Sequence, residues 1–465
     1  MIVMKFGGSS MGNETAMTLV LEIVRARLDR RPVVVVSALA GVTDELIGIA
    51  DALESGDAAG ARATAGRLLG RHRETAAGVV PPGPQRDAAL AAFDDVGVRL
   101  GRLIDGMECL GEVSARGRDA LLALGESAAA PLLAAAMCSR GLVARAVDPV
   151  RAVVTDASHG SAVPDLEATR ERLGRSVGPL LAAGEIPVLA GFVGVTAAGV
   201  PTTLGRGGSD LTASVVAACL GAEELQFWKD VPGILTADPR LVRDARPVPA
   251  LCFREASQLA WLGARVLHPA SMQPAVEAGI PVRVLSTFSP GEPGTSISGD
   301  GAGEADRDRP ERAVKSIACK RGQLLVNVHS TRMLGASGFL RRVFEVFDRL
   351  DLSVDHIATS EVDVTVTLGA TPLVERLRAE LGEVAHVAVD QGMGVISLVG
   401  RSLSETAGVG ARVFAALERF NVRLVTYGGA GVNLSLVLDD GDVPAAVASL
   451  HRRLLGETAG EAADA

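Results

Sequence analysis

The 465-residue chain has no block of like charge, no long apolar run and no paired cysteines or histidines, and each absence removes a class of function. Its 55 acidic residues outnumber 46 basic ones, giving a formal charge of -9, and the basic residues gather on no single face; nucleic acid is not an expected partner. The apolar stretch Val33 to Val36, continued by Ser37-Ala38-Leu39-Ala40, falls far short of the roughly 18 to 20 residues of a membrane span, so no membrane helix is expected. Met1 to Phe6 carries no charged leader and no small-residue cleavage site, which speaks against secretion. Five cysteines (Cys109, Cys138, Cys219, Cys252, Cys319) are odd in number and scattered. They read as reduced, buried thiols of a cytoplasmic protein. Seven histidines show no metal-ligand spacing, so no dedicated metal site is expected and any metal arrives with a substrate.

What is present is an ordinary globular composition, 48% hydrophobic and 22% charged with a mean hydropathy of +0.29. The length alone gives a prior of about three domains. From Met1 to about Ser298 short β-rich runs alternate with longer helical patterns, the order of an α/β fold with a mostly parallel sheet. Met1 to Phe6, Pro32 to Ser37, Ile186 to Val195 and Leu225 to Val231 read as strands; Glu14 to Leu28 and most of residues 56 to 140 read as helix. Pro81-Pro82-Gly83-Pro84 marks a loop between two helices. The expected division is a domain over 1–298, a linker over 299–312, small α/β modules over 313–390 and 391–456, and a tail over 457–465. The two modules repeat one another: Gly338 to Leu368 aligns without a gap on Gly408 to Leu438, 70 residues later.

Two glycine-rich turns can carry chemistry. Lys5-Phe6-Gly7-Gly8-Ser9-Ser10 follows the first strand and precedes a helix, presenting bare amides and an ammonium together, as phosphate binding requires. A plain tight turn beside a solvated lysine is the structural alternative. Lysine is scarce, however, with only Lys5, Lys229, Lys315 and Lys320 in the chain. A lysine kept where arginine is the common cation suggests a role for a mobile point charge. The second turn, Thr202-Thr203-Leu204-Gly205-Arg206-Gly207-Gly208-Ser209-Asp210, leads into a helix at Leu211 to Leu220 with Ser209 or Asp210 near its cap. Arg206 between glycines offers a fixed fork of donors for a carboxylate or phosphate. Together the turns imply a nucleoside triphosphate opposite a small acid.

The motif series then becomes specific. Lys5 to Ser10, Ser37 to Thr43, Gly125-Glu126-Ser127, Thr203 to Asp210, Trp228 to Gly233, Asp238-Pro239-Arg240 and Gly263 to Pro269 resemble, in order, the motifs of the aspartate kinases. The repeated modules resemble that family's paired ACT domains. The resemblance implies a three-layer αβα amino-acid kinase domain followed by two βαββαβ modules. It also implies transfer of the ATP γ-phosphoryl group to the β-carboxylate of L-aspartate, with Mg2+ carried chiefly by ATP. Carried onto this sequence, Lys5, Asp210 and Arg206 are the catalytic candidates. Ser37, Thr43, Glu126, Arg206 and Ser209 would receive the acceptor; Lys5, Gly7, Gly8, Ser9, Gly207, Gly208, Lys229, Asp230, Asp238, Arg240 and Arg265 would surround the nucleotide. The family usually has lysine at the position of Arg265, and its residues after Glu126 usually differ from Ser127-Ala128-Ala129.

In the first module, Met333, Gly338, Phe339, Leu340, Ser353, Val354, Asp355, Thr359, Ser360 and Glu361 resemble the effector site of the lysine-sensitive, single-function branch. The helix start at Gly338 would take an effector carboxylate, and Asp355 and Glu361 its cationic groups. A homodimer or larger assembly through the ACT modules is also implied. The rival readings are a catalytically inactive amino-acid sensor and a kinase acting on another small acid.

Overall fold

The computed structural model describes residues 1–262, 267–299, 313–331, 337–429 and 431–456. The expected linker at 299–312 and tail at 457–465 fall, apart from Gly299, outside the described residues. Contacts divide the described chain into two units. One holds the described residues of Met1–Ile234, Pro249–Phe253 and Arg265–Ala302, and the other those of Leu235–Val248, Arg254–Ala264 and Gly303–Ala465.

The first unit is built on strands whose residues tolerate burial on both faces. β1 (Ile2–Phe6) and β2 (Pro32–Val36) are buried at every position, as near-continuous apolar runs in a parallel sheet must be. α1 (Glu14–Arg25) joins them, capped by the Asn13 side chain, which accepts from the Ala16 amide at 2.9 Å. Four helices follow: α2 (Val42–Glu54), α3 (Ala58–Val79), α4 (Pro84–Leu110) and α5 (Ala115–Ser139). The remaining elements are β3 (Ala144–Val147), α6 (Leu166–Ser176), α7 (Gly178–Ala182), β4 (Ile186–Ala190), the hairpin β5 (Val193–Val195) and β6 (Pro201–Thr203), and α8 (Gly208–Leu220). β7 (Glu224–Lys229), β8 (Ala250–Cys252), α9 (Phe253–Trp261), α10 (Pro269–Glu277), β9 (Val282–Ser286) and β10 (Thr295–Ser298) complete the order, with most of α9 belonging to the second unit.

The sheet runs β3-β4-β2-β1-β7-β9-β10-β8, parallel except where β9 meets β10. β1 is flanked by β2 and β7, so the carboxyl ends of these three strands and of β4 open on one side, where α/β sheets bind ligands. α5 is long and apolar enough to cross a membrane by length and composition, yet 83% of its most apolar stretch is buried in this unit. It is the central core helix, and Gly125 in it has a packing reason. A methyl there would stand 3.0 Å from the Ala38 side chain and 3.2 Å from Val42, so glycine lets α5 close onto the turn after β2.

Local detail departs from the sequence reading in three places. The expected strand Ile186 to Val195 breaks at Gly191-Phe192, where Phe192 takes φ +65° and turns the chain into β5. The first glycine turn does not open an α-helix; Gly8–Met11 forms one 3-10 turn, and α1 starts only at Glu14. The cap of α8 is Gly207 at φ +74°, neither Ser209 nor Asp210, which frees the Asp210 carboxylate for another task.

The second unit holds a six-stranded antiparallel sheet in the order β12-β13-β11-β14-β16-β15. Its elements are β11 (Val314–His329), α11 (Phe339–Arg349), β12 (His356–Thr359), β13 (Asp363–Gly369), α12 (Val374–Gly382), β14 (His386–Gly400), α13 (Val409–Ala416), β15 (Leu424–Tyr427), β16 (Asn433–Asp439) and α14 (Val443–Leu455). The 70-residue repeat is structural: Gly338 and Gly408 cap α11 and α13 at φ +81° and +82°, and β13 and β16 are offset by the same 70 positions.

The modules are interleaved rather than consecutive. β11 from Gln323 to His329 pairs with β13 and with the start of β14, over a core of Phe339, Val343, Phe347 and Leu377. Its earlier part, Val314 to Lys320, instead pairs with Val395 to Gly400 and joins the core of Val413, Leu434 and Leu450. Residues 391–456 alone supply only βαββα, which leaves one side of β14 unpaired. The missing strand is Val314 to Lys320, at the start of the span expected for the first module, so the second module's sheet is completed from across the boundary expected near 390.

Candidate active site

The carboxyl ends of β1, β2 and β4 and the start of α8 frame a cleft of about 810 Å³, lined by Lys5, Gly8, Ser37, Thr43, Glu126, Phe192, Arg206, Gly207, Gly208, Ser209 and Asp210 among others. Both glycine-rich turns, some 200 residues apart in sequence, therefore meet. At their junction Asp210, the third residue of α8, is clasped by two ammonium groups. Lys5 Nζ lies 2.6 Å from Oδ1, and Lys229 Nζ, at the end of β7, lies 2.7 Å from Oδ2. All three are largely buried, with side-chain exposures of 5% for Lys5, 18% for Lys229 and 8% for Asp210. Burial alone would raise the Asp210 carboxyl, but the two lysines override it and hold the group below its ordinary value. Burial, with Lys229 adding repulsion, lowers the Lys5 ammonium from its ordinary value. Two cations converging on one buried carboxylate leave a net positive charge at the cleft floor, the requirement for holding a polyphosphate.

Not every glycine of the two turns presents a free amide. Gly7 N–H donates to the Trp228 carbonyl at 3.3 Å, continuing the β1–β7 ladder, and Gly208 N–H to that of Gly205 at 2.9 Å, closing its own turn. Gly8 lines the cleft. Ser9 is exposed on the 3-10 turn.

The opposite wall suits an amino acid. Glu126 on α5 is 3% exposed, and burial pushes its carboxyl up to about 7, only partly offset by the nearby Ala38 amide, its own amide, the Lys5 ammonium and the Ser209 hydroxyl. Its Oε2 is buried with no hydrogen-bond partner. An acceptor left bare inside a polar cleft is matched by a ligand donor such as an ammonium. Arg206 stands exposed between Gly205 at φ +72° and Gly207 at φ +74°. Ser37 follows β2 and Thr43 lies in the first turn of α2, and both line the cleft. The sequence reading missed Phe192, Asp119 and His159. Phe192 is turned into the cleft by its left-handed backbone, and Asp119 and His159 meet at 2.7 Å beside it. None of the three lies in a motif with a fixed spacing, so no sequence signal pointed to them.

The remaining candidates are placed as follows. Asp238 and Arg240 belong to the second unit, where they grip each other at 2.6 Å and Asp238 also accepts from the Arg240 amide at 2.9 Å. Asp230 follows the end of β7. Arg265 and Met333 lie outside the described residues. Phe339 is buried beneath α11, Leu340 is 42% exposed, and Ser353, Thr359, Ser360 and Glu361 are exposed. Asp355 is engaged already, holding Lys320 Nζ at 3.1 Å, while that ammonium also lies 5.2 Å from the Trp261 ring. With Lys315 on Glu255 at 2.9 Å, each of the chain's four lysines pairs with an acid.

Comparison with known proteins places this geometry. Residues 1–286 match the amino acid kinase family and residues 396–454 the ACT domain. The lysine-sensitive aspartokinase 3 of Escherichia coli is 34% identical over 97% of this chain and 99% of its own. Aspartokinase 3 of Arabidopsis thaliana chloroplasts is 34% identical over 97% of this chain and 80% of its own. Crystal structures of E. coli aspartokinase III superpose with TM-scores of 0.78, in complex with aspartate and ADP, and 0.79, in complex with lysine and aspartate; each covers 98% of this chain and 99% of that one. By sequence, fold and domain content alike, the chain belongs to the aspartokinases of the amino acid kinase family.

Proposed function

We propose that the cleft transfers the γ-phosphoryl group of ATP to the β-carboxylate of L-aspartate, giving 4-phospho-L-aspartate and ADP. The observation that carries this reading is the Lys5–Asp210–Lys229 cluster facing the unpartnered Glu126 oxygen across one cleft. A carboxylate oxygen attacks phosphorus as the bond to the bridging oxygen of ADP breaks. The nucleophile is ionised at neutral pH and ADP leaves as an anion, so no proton moves and no general base is needed. What the site must supply is alignment and charge compensation. Lys5 and Lys229 balance charge on the transferring group, and Asp210 fixes their ammonium groups. Arg206 takes the α-carboxylate of aspartate, Glu126 its ammonium, and Ser37, Thr43 and Ser209 orient the acceptor side chain. Gly207, Asp230 and Arg265 are proposed for the nucleotide.

Among the described residues no group of three acidic, histidine or cysteine side chains could hold a metal ion, and Asp210 is taken by its lysines. Mg2+ is proposed to arrive with the triphosphate, held by its oxygens and by water.

The reading extends to feedback inhibition by lysine in the first ACT module. In support, Asp355 already pairs with an alkylammonium, that of Lys320. A homodimer through the ACT modules is supported by apolar side chains left exposed on the two edge strands, Ile357 at 50% and Tyr427 at 45%. A cytoplasmic location completes the proposal. The test is a coupled ADP assay with a panel of amino-acid acceptors and Lys5→Ala alongside. Aspartate alone should support turnover, and Lys5→Ala should lower it by about 10²-fold or more. ADP release by Lys5→Ala at the unaltered rate would remove Lys5 from the reaction, and a preferred acceptor other than aspartate would replace the substrate.

A further inference from the structure

Asp119 is a buried acid in the fifth position of α5, past its capping residue Ser114 and at the start of the helix's buried apolar run Leu121-Leu122-Ala123-Leu124. It is 1% exposed, and an ionised carboxylate so placed needs partners to offset its lost hydration. Three are present, and they come from two other segments. His159 Nδ1–H donates at 2.7 Å and the Gly160 amide at 3.1 Å, both from the turn enclosed by the Thr155–Pro164 bridge. The Thr203 hydroxyl donates at 2.5 Å from the last residue of β6.

Thr203 is also three residues before Arg206. Between them, Gly205 presses on the same turn: a methyl there would meet the Gly160 carbonyl at 3.0 Å. The Ala162 amide donates to the Thr203 carbonyl at 2.9 Å, lacing the two segments to one another. Asp119 then ties that laced pair to α5. Seven residues on, two helical turns along the same face, α5 carries Glu126. One helix thus sets both ends of the acceptor wall, Glu126 directly and the Arg206 turn through Asp119.

We infer that Asp119 is a positioning residue of the acceptor half of the cleft, fixing the Arg206 turn against Glu126 through Thr203 and Gly160. This rests on the proposed acceptor site. Because Asp119 takes Nδ1, the His159 ring keeps its second nitrogen for the cleft it lines.

The test uses the full-length chain with Asp119→Ala, Asp119→Asn and Thr203→Val, aspartate and ATP being varied separately in the ADP assay beside thermal unfolding. Asp119→Ala should raise KM for aspartate about 10- to 100-fold, the scale of lost hydrogen bonds to a charged group, with KM for ATP within about twofold. Asp119→Asn should recover part of that loss, since its amide oxygen still accepts, and Thr203→Val should shift KM in the same direction by less. Should Asp119→Ala not fold, the other two variants carry the comparison. A merely structural anchor would lower the melting temperature while leaving both KM values unchanged or moving them together, and either result overturns the inference. Wild-type protein without aspartate-dependent ADP release would instead sink the acceptor reading itself, an outcome visible before any variant is compared.

Discussion

Replacing Asp210 by asparagine removes the one negative charge between two buried ammonium groups. Lys5 and Lys229 sit 2.6 and 2.7 Å from opposite oxygens of that carboxylate. Bridged by one carboxylate, two such charges lie within about 7 Å of each other and repel by about 2 kcal/mol or more at an effective dielectric constant near 20. Breaking a buried ion pair by deleting one partner costs about 3 to 5 kcal/mol in all, since the charges left behind stay desolvated. At roughly 2 to 4 °C per kcal/mol for a unit of this size, ligand-free Asp210→Asn should melt about 10 °C below the wild type. The triphosphate of ATP would restore the missing negative charge, so saturating ATP should raise the melting temperature of the variant by more than it raises that of the wild type. Turnover should still fall by about 10²-fold, because neither lysine is held at its working position. The assay is thermal unfolding with and without ATP, followed by steady-state kinetics. A variant melting within about 2 °C of wild type without ligand, or equal ATP shifts for the two proteins, would refute the assignment of Asp210 as the anchor of both lysines.

Glu126 should set a pH dependence. Its carboxyl titrates near 7 in the folded state against 4.5 unfolded, so the native state binds the extra proton between those values, and stability from this group is lost as pH rises from about 4.5 to 7. Ligand-free Glu126→Gln should show a flatter melting profile over that window, with KM for aspartate high and no longer rising below pH 7; an unchanged profile would assign the titration elsewhere. Arg206→Lys keeps the charge but not the two-pronged grip, and should raise KM for aspartate about tenfold with little change for ATP. Asp355→Ala should relieve lysine inhibition while leaving the uninhibited rate nearly unchanged. Lys320→Met removes the internal competitor for Asp355 and should lower the lysine concentration giving half inhibition; inhibition curves superposable on the wild type would dissociate Lys320 from the effector site.

Parts of this architecture could be read from residue patterns because a single local rule governs them. β1 and β2 are uninterrupted apolar runs, and the glycine turns announce close approach to a ligand wherever they lie. The break after β4 was not legible, since Phe192 at φ +65° is a conformation its side chain does not signal and tertiary packing imposes it. Asp119 and His159 were missed for a related reason: a lone acid on an apolar helix and a lone histidine in a loop acquire meaning only when the chain brings them together. The shared strand β11 also escaped, because the polar stretch Lys320-Arg321-Gly322-Gln323, with Gly322 at φ +66°, has the composition of a turn, whereas Val314 to His329 runs through it as one strand whose register shifts there.

That shared strand has a consequence for biogenesis. Val314 must wait for Gly400 to be synthesised before the two can bond, and Thr236 and His451, 2.9 Å apart, lie at a still greater separation in the chain. On a ribosome making roughly 5 to 20 residues per second, the regulatory sheet stays open at one seam until residue 400 has been added to the chain. A prematurely terminated product would therefore expose a raw β-edge and invite pairing with its siblings, whatever the state of the catalytic half.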